Sequence, residues 1–299
     1  MRSYIFKKSY RILREGIDFF ELREEANGGT RAKRLVYVPE TRKKAIFKYD
    51  NGRKFRKGED CSEKIASELA ITIGIPTAKI DLAESMTGEP GLLSYLFVDK
   101  EKGESHDDME FFLDINKNNE SEKYTILNMK NELNKLFPDV NFEDFLRIVF
   151  FDALVGERDR HIGNWGITKK NGRHSISPLY DTANCLLIHF QDISYRNKIL
   201  SNKDGFENFV SKNKLAIYKD DGSGNYVPTT SAIDYLLDKY PNFTLKQIKK
   251  LKKLKDAIIY NIVNRIPNTR MDDELKMYIC KFLIKQRDDI IMKGESYGK

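Results

Sequence analysis

One stretch of the chain concentrates groups able to do chemistry: Gly156-Glu157-Arg158-Asp159-Arg160-His161-Ile162-Gly163-Asn164-Trp165-Gly166. A strongly hydrophobic segment, Phe142–Val155, precedes it, and a buried helix running into Asp, Arg, His and Asn sets a polar loop at a cleft. Asn164 lies five residues after Asp159, and Asp181 follows seventeen residues later in Ser177-Pro178-Leu179-Tyr180-Asp181. Phosphoryl transfer asks for such a set, because it needs positioning and charge neutralisation more than covalent help. Asp159 is assigned to orient the attacking hydroxyl and accept its proton. Asn164 and Asp181 are assigned to magnesium, a hard ion that takes oxygen ligands and keeps some waters. His161 is an acid–base candidate. Because Asp159 already supplies the base, His161 is read as holding the loop by hydrogen bonds.

Alone, these residues carry little. An Asp and an Asn at this spacing arise by chance in most proteins. Asp159–His161 also fits a solvated loop, and Asp181, followed by Thr182-Ala183, also fits a helix cap. The order of parts upstream adds weight. Asn27-Gly28-Gly29-Thr30 is a turn in which the backbone amides of Gly28, Gly29 and Thr30 can approach phosphates, although such turns are usually just turns. Lys48 stands in Ala45-Ile46-Phe47-Lys48, on a strand where it projects opposite to Phe47 and Tyr49 and can meet nucleotide phosphates. Glu63, early in the next helix, can pair with it. Glu68 competes, and spacing alone does not choose between them. Protein kinases place Asp and Asn at the same step in their catalytic loop.

The chain resembles the HipA-like serine/threonine kinases. The resemblance is carried by Gly28-Gly29-Thr30-Arg31-Ala32-Lys33, by Asp159-Arg160-His161 with Asn164, and by Pro178-Leu179-Tyr180-Asp181. Glu63, Leu69-Ala70 and Gly74-Ile75-Pro76 match that family's first long helix and the turn after it. The likeness implies a bilobal α+β kinase fold, ATP with magnesium, and phosphorylation of protein serine or threonine. It implies Asp159 as catalytic aspartate, Asn164 and Asp181 as metal ligands, and Lys48 as nucleotide lysine. Known members suggest a DNA-binding antitoxin or another small regulatory partner. Three departures stand out. The chain resembles the short members that lack an extra amino-terminal subdomain. Ala26 and Asn27 stand where some relatives carry a regulatory serine. Glu157 stands where the family often has Asn.

The elements that must position these groups follow from pattern. Asp18–Leu22 and Arg34–Val38 read as a hairpin, Ala45–Tyr49 as a third strand, and Ala78–Leu82 and Leu92–Val98 as two more. A helix from about Ser62 to Ile73 has Ile65, Leu69 and Ile73 on one face, with Gly74 and Pro76 ending it. Lys100–Ser121, polar and charged, reads as a linker or surface excursion. Helices are expected at Tyr124–Phe137, Phe142–Val155, Thr229–Lys239, Leu245–Arg265 and Asp272–Met292. Asn171-Gly172 marks a hairpin between Trp165–Lys169 and His174–Ile176. Asp220-Asp221-Gly222-Ser223-Gly224 marks another turn. Leu245, Ile248, Leu251, Leu254 and Ile258 form the apolar stripe of a basic helix, expected to pack on the core with its lysines solvated. A β-rich lobe over residues 1–98 and a helical lobe over 99–299 are expected.

Composition bounds the rest. With 40% hydrophobic residues, 18 Phe and 15 Tyr in 299 residues, a real core can form. The net charge of +7 reads as a modest lysine excess, with no arginine–aromatic interleaving of the kind a nucleic-acid groove uses. Cys61, Cys185 and Cys280 form no CxxC pair, which argues against a disulfide scaffold or structural zinc and fits a reducing cytoplasm. No secretory leader or membrane span is expected. The other readings kept open are a lipid or small-molecule kinase, since Asp159-Arg160-His161 with Asn164 also resembles phosphoinositide kinases, an ATP-binding pseudokinase, and a basic nucleic-acid-binding regulator.

Overall fold

A computed structural model describes residues 8–22, 33–50, 58–116 and 118–298. The first part of the chain alternates apolar and polar residues and builds a sheet. Its strands are β1 (Ile12–Arg14), β2 (Phe20–Glu21), β3 (Lys33–Val38), β4 (Lys43–Tyr49), β5 (Ile80–Glu84) and β6 (Pro90–Tyr95), in spatial order β1-β5-β6-β4-β3-β2. All neighbours are antiparallel except β1 with β5. Phe19, Val36, Val38, Ala45, Phe47 and Leu93 form the apolar interior of this sheet. The expected β2–β3 hairpin is present, with Phe20 opposite Tyr37. Its turn, with Gly28, Gly29 and Thr30, lies outside the described residues.

Between β4 and β5 runs α1 (Glu59–Ile73), closed by Gly74 in the left-handed conformation at φ 72°. Ile65, Leu69 and Ile73 are buried as the spacing predicts. Burying each such side chain contributes about 1.5–3 kcal/mol. The start of the helix is tied to distant residues. Asp60 pairs with Arg270 at 2.9 Å, and Arg270 also donates to the Ala83 carbonyl at 2.7 Å. Nearby, the Tyr10 N–H donates to the Arg265 carbonyl at 2.8 Å, and the Arg265 guanidinium lies 4.0 Å from the Tyr10 ring centroid.

The rest of the described chain is mainly helical. It comprises β7 (Ser105–Asp108), α2 (Glu120–Lys123), α3 (Ile126–Leu136), α4 (Phe142–Val155), β8 (Gly166–Lys170), β9 (Arg173–Ile176), α5 (Ile193–Leu200), α6 (Gly205–Ser211), β10 (Lys214–Tyr218), β11 (Tyr226–Pro228), α7 (Thr229–Lys239), α8 (Pro241–Leu251), α9 (Asp256–Asn264) and α10 (Asp273–Ser296). Helix α4 is the centre of this part, with Phe145, Leu146 and every residue from Ile148 to Val155 buried. The β8–β9 hairpin turns at Asn171-Gly172, both at positive φ, as that dipeptide dictates. Among the described residues, no helix is long and apolar enough to cross a membrane. All three cysteines are free and buried.

Two expectations need correction. The charged stretch at Lys100–Ser121 is more than a surface excursion. Its strand β7 pairs with β8, placing Ser105 opposite Lys169 and Asp108 opposite Gly166, and Met109 just after it is fully buried. Ser-His-Asp-Asp has no strand-like alternation, so pairing with β8 fixes its conformation rather than local propensity. The single helix expected over Leu245–Arg265 is two helices broken at Lys252–Lys255. Leu245, Ile248, Leu251 and Leu254 follow at three-residue steps, each about 60° short of a full turn. A continuous helix would turn Leu254 away from Leu245. The break lets Ile248, Leu251 and Leu254 all face inward, leaving Leu245 39% exposed, and the Leu254 carbonyl accepts from Arg287 at 2.9 Å.

Candidate active site

Helix α4 delivers the polar loop. It ends at Gly156, φ 69°, where a Cβ would lie 2.3 Å from the Asn213 carboxamide nitrogen, so only glycine fits without rearrangement. The loop then folds on itself. The Asp159 carbonyl accepts from the Asn164 carboxamide at 2.7 Å and from the His161 N–H at 2.9 Å. The Gly163 N–H donates to His161 Nδ1 at 3.0 Å, matching the loop-holding role expected of this exposed histidine. Trp165 is buried beneath the loop, 4.7 Å from the Phe145 ring centroid, and donates to the Tyr124 hydroxyl at 3.0 Å. Tyr124 in turn donates to the Arg160 carbonyl at 2.6 Å.

Arg160, unassigned in the sequence reading, is the hub. Its side chain is almost fully buried and pairs with Asp152 of α4 at 3.1 Å. Nη1 donates to the carbonyls of Asn164 and Tyr180, each at 2.8 Å, and Nη2 donates to Thr182 Oγ1 at 2.7 Å. One guanidinium thus fixes the backbone at Asn164 and Tyr180 and holds the Thr182 side chain, on either side of Asp181. Burial opposes its charge, but Asp152 and then Glu157 together outweigh burial and push its pKa further up.

Asp181 adopts φ 52°, in the left-handed region that non-glycine residues seldom enter. Surrounding contacts hold it there. The Leu179 carbonyl accepts from Ala78 at 2.7 Å, and the Leu179 N–H donates to the Pro76 carbonyl at 2.9 Å. The Asp181 N–H donates to Glu63 at 3.3 Å. Lys48 Nζ reaches Glu63 Oε1 and Asp181 Oδ1, each at 3.2 Å. Glu68 instead pairs with Lys64 at 2.6 Å, which settles the choice between the two glutamates. Strand β4, helix α1 and the segment after β9 therefore converge on one lysine.

Lys33 is a second cation beside this group. It stands directly across the β3–β4 ladder from Lys48, so both side chains project to one face. Burial and the charge of Lys48 lower its pKa, while Asp181 and Asp108 oppose that shift. Its cross-strand register with Lys48 is the signal that could have found it. Tyr180 donates to Asp108 of β7 at 2.5 Å. The charged stretch thereby buttresses the segment that carries Asp181.

A magnesium nucleotide fits these residues. Asn164 commits its NH₂ to the Asp159 carbonyl, which leaves its own carbonyl oxygen on the other side, an oxygen donor of the kind magnesium takes. The Asp181 side chain is 34% exposed and keeps a carboxylate at the cleft. Among the described residues, no group of three or more His, Cys, Asp or Glu gathers as a dedicated metal cage. Magnesium needs none, since it usually takes one or two protein oxygens together with phosphates and waters.

Residues 26–230 match the model of the HipA-like C-terminal domain. The chain belongs to that family. This HipA-like chain is 29% identical over 157 residues to the serine/threonine-protein kinase CtkA of Helicobacter pylori, a stretch covering 42% of this chain and 48% of that one. The matched stretch is thus about half the length of that relative. The crystal structure of a Helicobacter pylori proinflammatory kinase, CtkA, superposes with TM-score 0.77 at 15% identity, over 96% of this chain and 99% of that one. A chain of the Shewanella oneidensis MR-1 toxin–antitoxin complex of HipA, HipB and operator DNA gives TM-score 0.53 at 14% identity, over 92% and 67% of the two chains. These likenesses establish the HipA-like α+β fold, a curled sheet lobe beside a helical one.

Proposed function

We propose that the chain is an ATP- and magnesium-dependent serine/threonine protein kinase. The observation that carries this reading is the convergence of Lys48, Glu63 and Asp181 beside the loop holding Asp159 and Asn164. The kinase named among its relatives supports it. In this reading residues 1–98 form the nucleotide lobe and 99–299 the catalytic lobe. Glu63 orients Lys48 toward the nucleotide phosphates, and Lys33 adds positive charge beside it. Asn164 and Asp181 hold the metal, which neutralises charge building on the phosphates. Asp159 accepts the proton of the attacking serine or threonine hydroxyl. Arg160 keeps the base side and the metal side in register. The likeness to a chain solved with HipB and operator DNA extends the proposal to a regulatory protein partner.

The test is transfer of label from ATP to protein, by purified chain alone and with dephosphorylated lysate. Label is expected with magnesium and wild type, and none with Asp159→Asn or Asp181→Asn. Wild-type protein that binds magnesium ATP yet labels only lipid or a small molecule would overturn the protein-kinase assignment.

A further inference from the structure

Glu157 begins the loop and is fully buried. Its Oε1 accepts the backbone N–H of Arg158 at 3.0 Å and of Asp159 at 2.8 Å. Its Oε2 is buried and has no hydrogen-bond partner among the described residues. The nearby cation, Arg160, attracts it but gives it no hydrogen. Arg160 turns Nε and one Nη2 hydrogen to Asp152, both Nη1 hydrogens to the Asn164 and Tyr180 carbonyls, and the last to Thr182. A guanidinium has no further hydrogen to give. Asp152 already balances its charge. The titratable or charged groups facing Glu157 are Asp152 from α4, Asp159 and Arg160 from the loop, and Cys185 from the segment after Asp181. Arg160 is the one cation among these. An ionised Glu157 would be a buried anion that shares the attraction of Arg160 with Asp152 and has no donor at Oε2, a costly state in a packed interior.

We infer that Glu157 is a positioning residue of the phosphoryl-transfer site, a neutral carboxylic acid that anchors the Asp159 backbone from beneath the loop. The inference rests on the kinase reading for its catalytic consequence and on geometry for the anchor itself. Oε1 serves as the double acceptor, and the acid hydrogen sits on Oε2. Asn184 lies alongside, its carbonyl accepting the Arg158 N–H at 3.2 Å, and its own Oδ1 is buried without a donor. Burial pushes the Glu157 pKa up to about 8, in line with this geometry. Ionisation above that pH would place an unbalanced negative charge two residues from the base and loosen the loop.

Two readouts on Glu157→Gln and Glu157→Ala test this. Backbone amide hydrogen exchange reads the anchor without any turnover. Protection of the Asp159 amide is expected in wild type and in E157Q, and its loss in E157A. Kinetics read the consequence. E157A is expected to lower kcat by about a hundredfold at unchanged KM for ATP. E157Q is expected to keep most of kcat and to lose the fall in activity that wild type shows above about pH 8. E157Q as impaired as E157A would overturn the proposal, because a carboxylate would then be required. So would E157A with full protection and full kcat. If E157A does not fold, the pH profile and exchange of E157Q decide. If wild type transfers no phosphate, the kinase reading falls, and hydrogen exchange alone judges the anchor.

Discussion

Lys48 touches two carboxylates at once, so what it does depends on both. Lys48→Met is expected to lower kcat/KM by about 10²–10³, the usual cost of losing a preorganised charge at a reacting centre. Lys33→Ala is expected mainly to raise KM for ATP, because Lys33 adds charge without sharing the Glu63 clasp. Steady-state kinetics at varied ATP separates the two. Arg160 is a different case, since its removal strands Asp152 in the core. Arg160→Met is expected to cost about 3–5 kcal/mol of stability, measured by urea unfolding. Residue type and order along the chain pointed to Asp159, Asn164, Asp181 and Lys48, and left Glu63 and Glu68 open as the partner of Lys48; the fold pairs Lys48 with Glu63 and Asp181. The sequence did not announce Arg160 or Lys33. Arginine in a charged loop reads as solvated until α4 is seen to bury it against Asp152. A lysine three residues after a glycine turn reads as surface until its register with Lys48 is known.

At the level of elements, the β7–β8 pairing decides how Asp108 reaches Tyr180. A Cβ at Gly166 would lie 2.2 Å from the Asp107 carbonyl, a backbone atom that cannot swing aside. Gly166→Ala is therefore expected to part the strands and destabilise the protein by about 1–3 kcal/mol. Gly172→Ala, with nothing within 4 Å of its Cβ, meets only the cost of its φ of 75°. Comparing both variants by chemical denaturation, and labelling by G166A, shows whether the pairing matters to the site. Elements with their own periodicity, such as α1, α4 and the β8–β9 hairpin, were legible to within a few residues. Strand β7 was not, because its residues carry no apolar alternation and its partner lies some sixty residues away. The break between α8 and α9 was written in the three-residue spacing of its leucines, a period that no straight helix can bury.

Across the whole molecule, buried acids set the pH response. Asp60 is held at about 6, by burial first and then by the charge of Asp50, against the pull of Arg270. Glu157 is held at about 8, chiefly by burial. Both values lie above those of unfolded carboxylates, so the folded state binds more protons than the unfolded one between about pH 4 and 8. The contribution of these two acids to stability is accordingly expected to be fullest below that window and to be lost as pH rises through 6 and then 8. Urea unfolding from pH 5 to 9 measures it, with Asp60→Asn flattening the lower part and Glu157→Gln the upper. Magnesium ATP acts in the other direction. It is expected to raise Tm, with ATP or magnesium alone doing much less, because the proposed site needs both; saturation at about 100 times Kd contributes about 2.7 kcal/mol.

The seat of Tyr10 on Arg265, and of Asp60 on Arg270, also has a meaning in time. A ribosome releases β1 to β6 long before it releases these arginines. Through that interval the sheet can pair its strands, but the start of α1 has no Arg270 to rest on. Until then the nascent lobe has its rear unsupported, and such open intermediates invite capture by chaperones and proteases. Until these contacts form, α1, the helix that carries Glu63, lacks the distant anchor at its first turn.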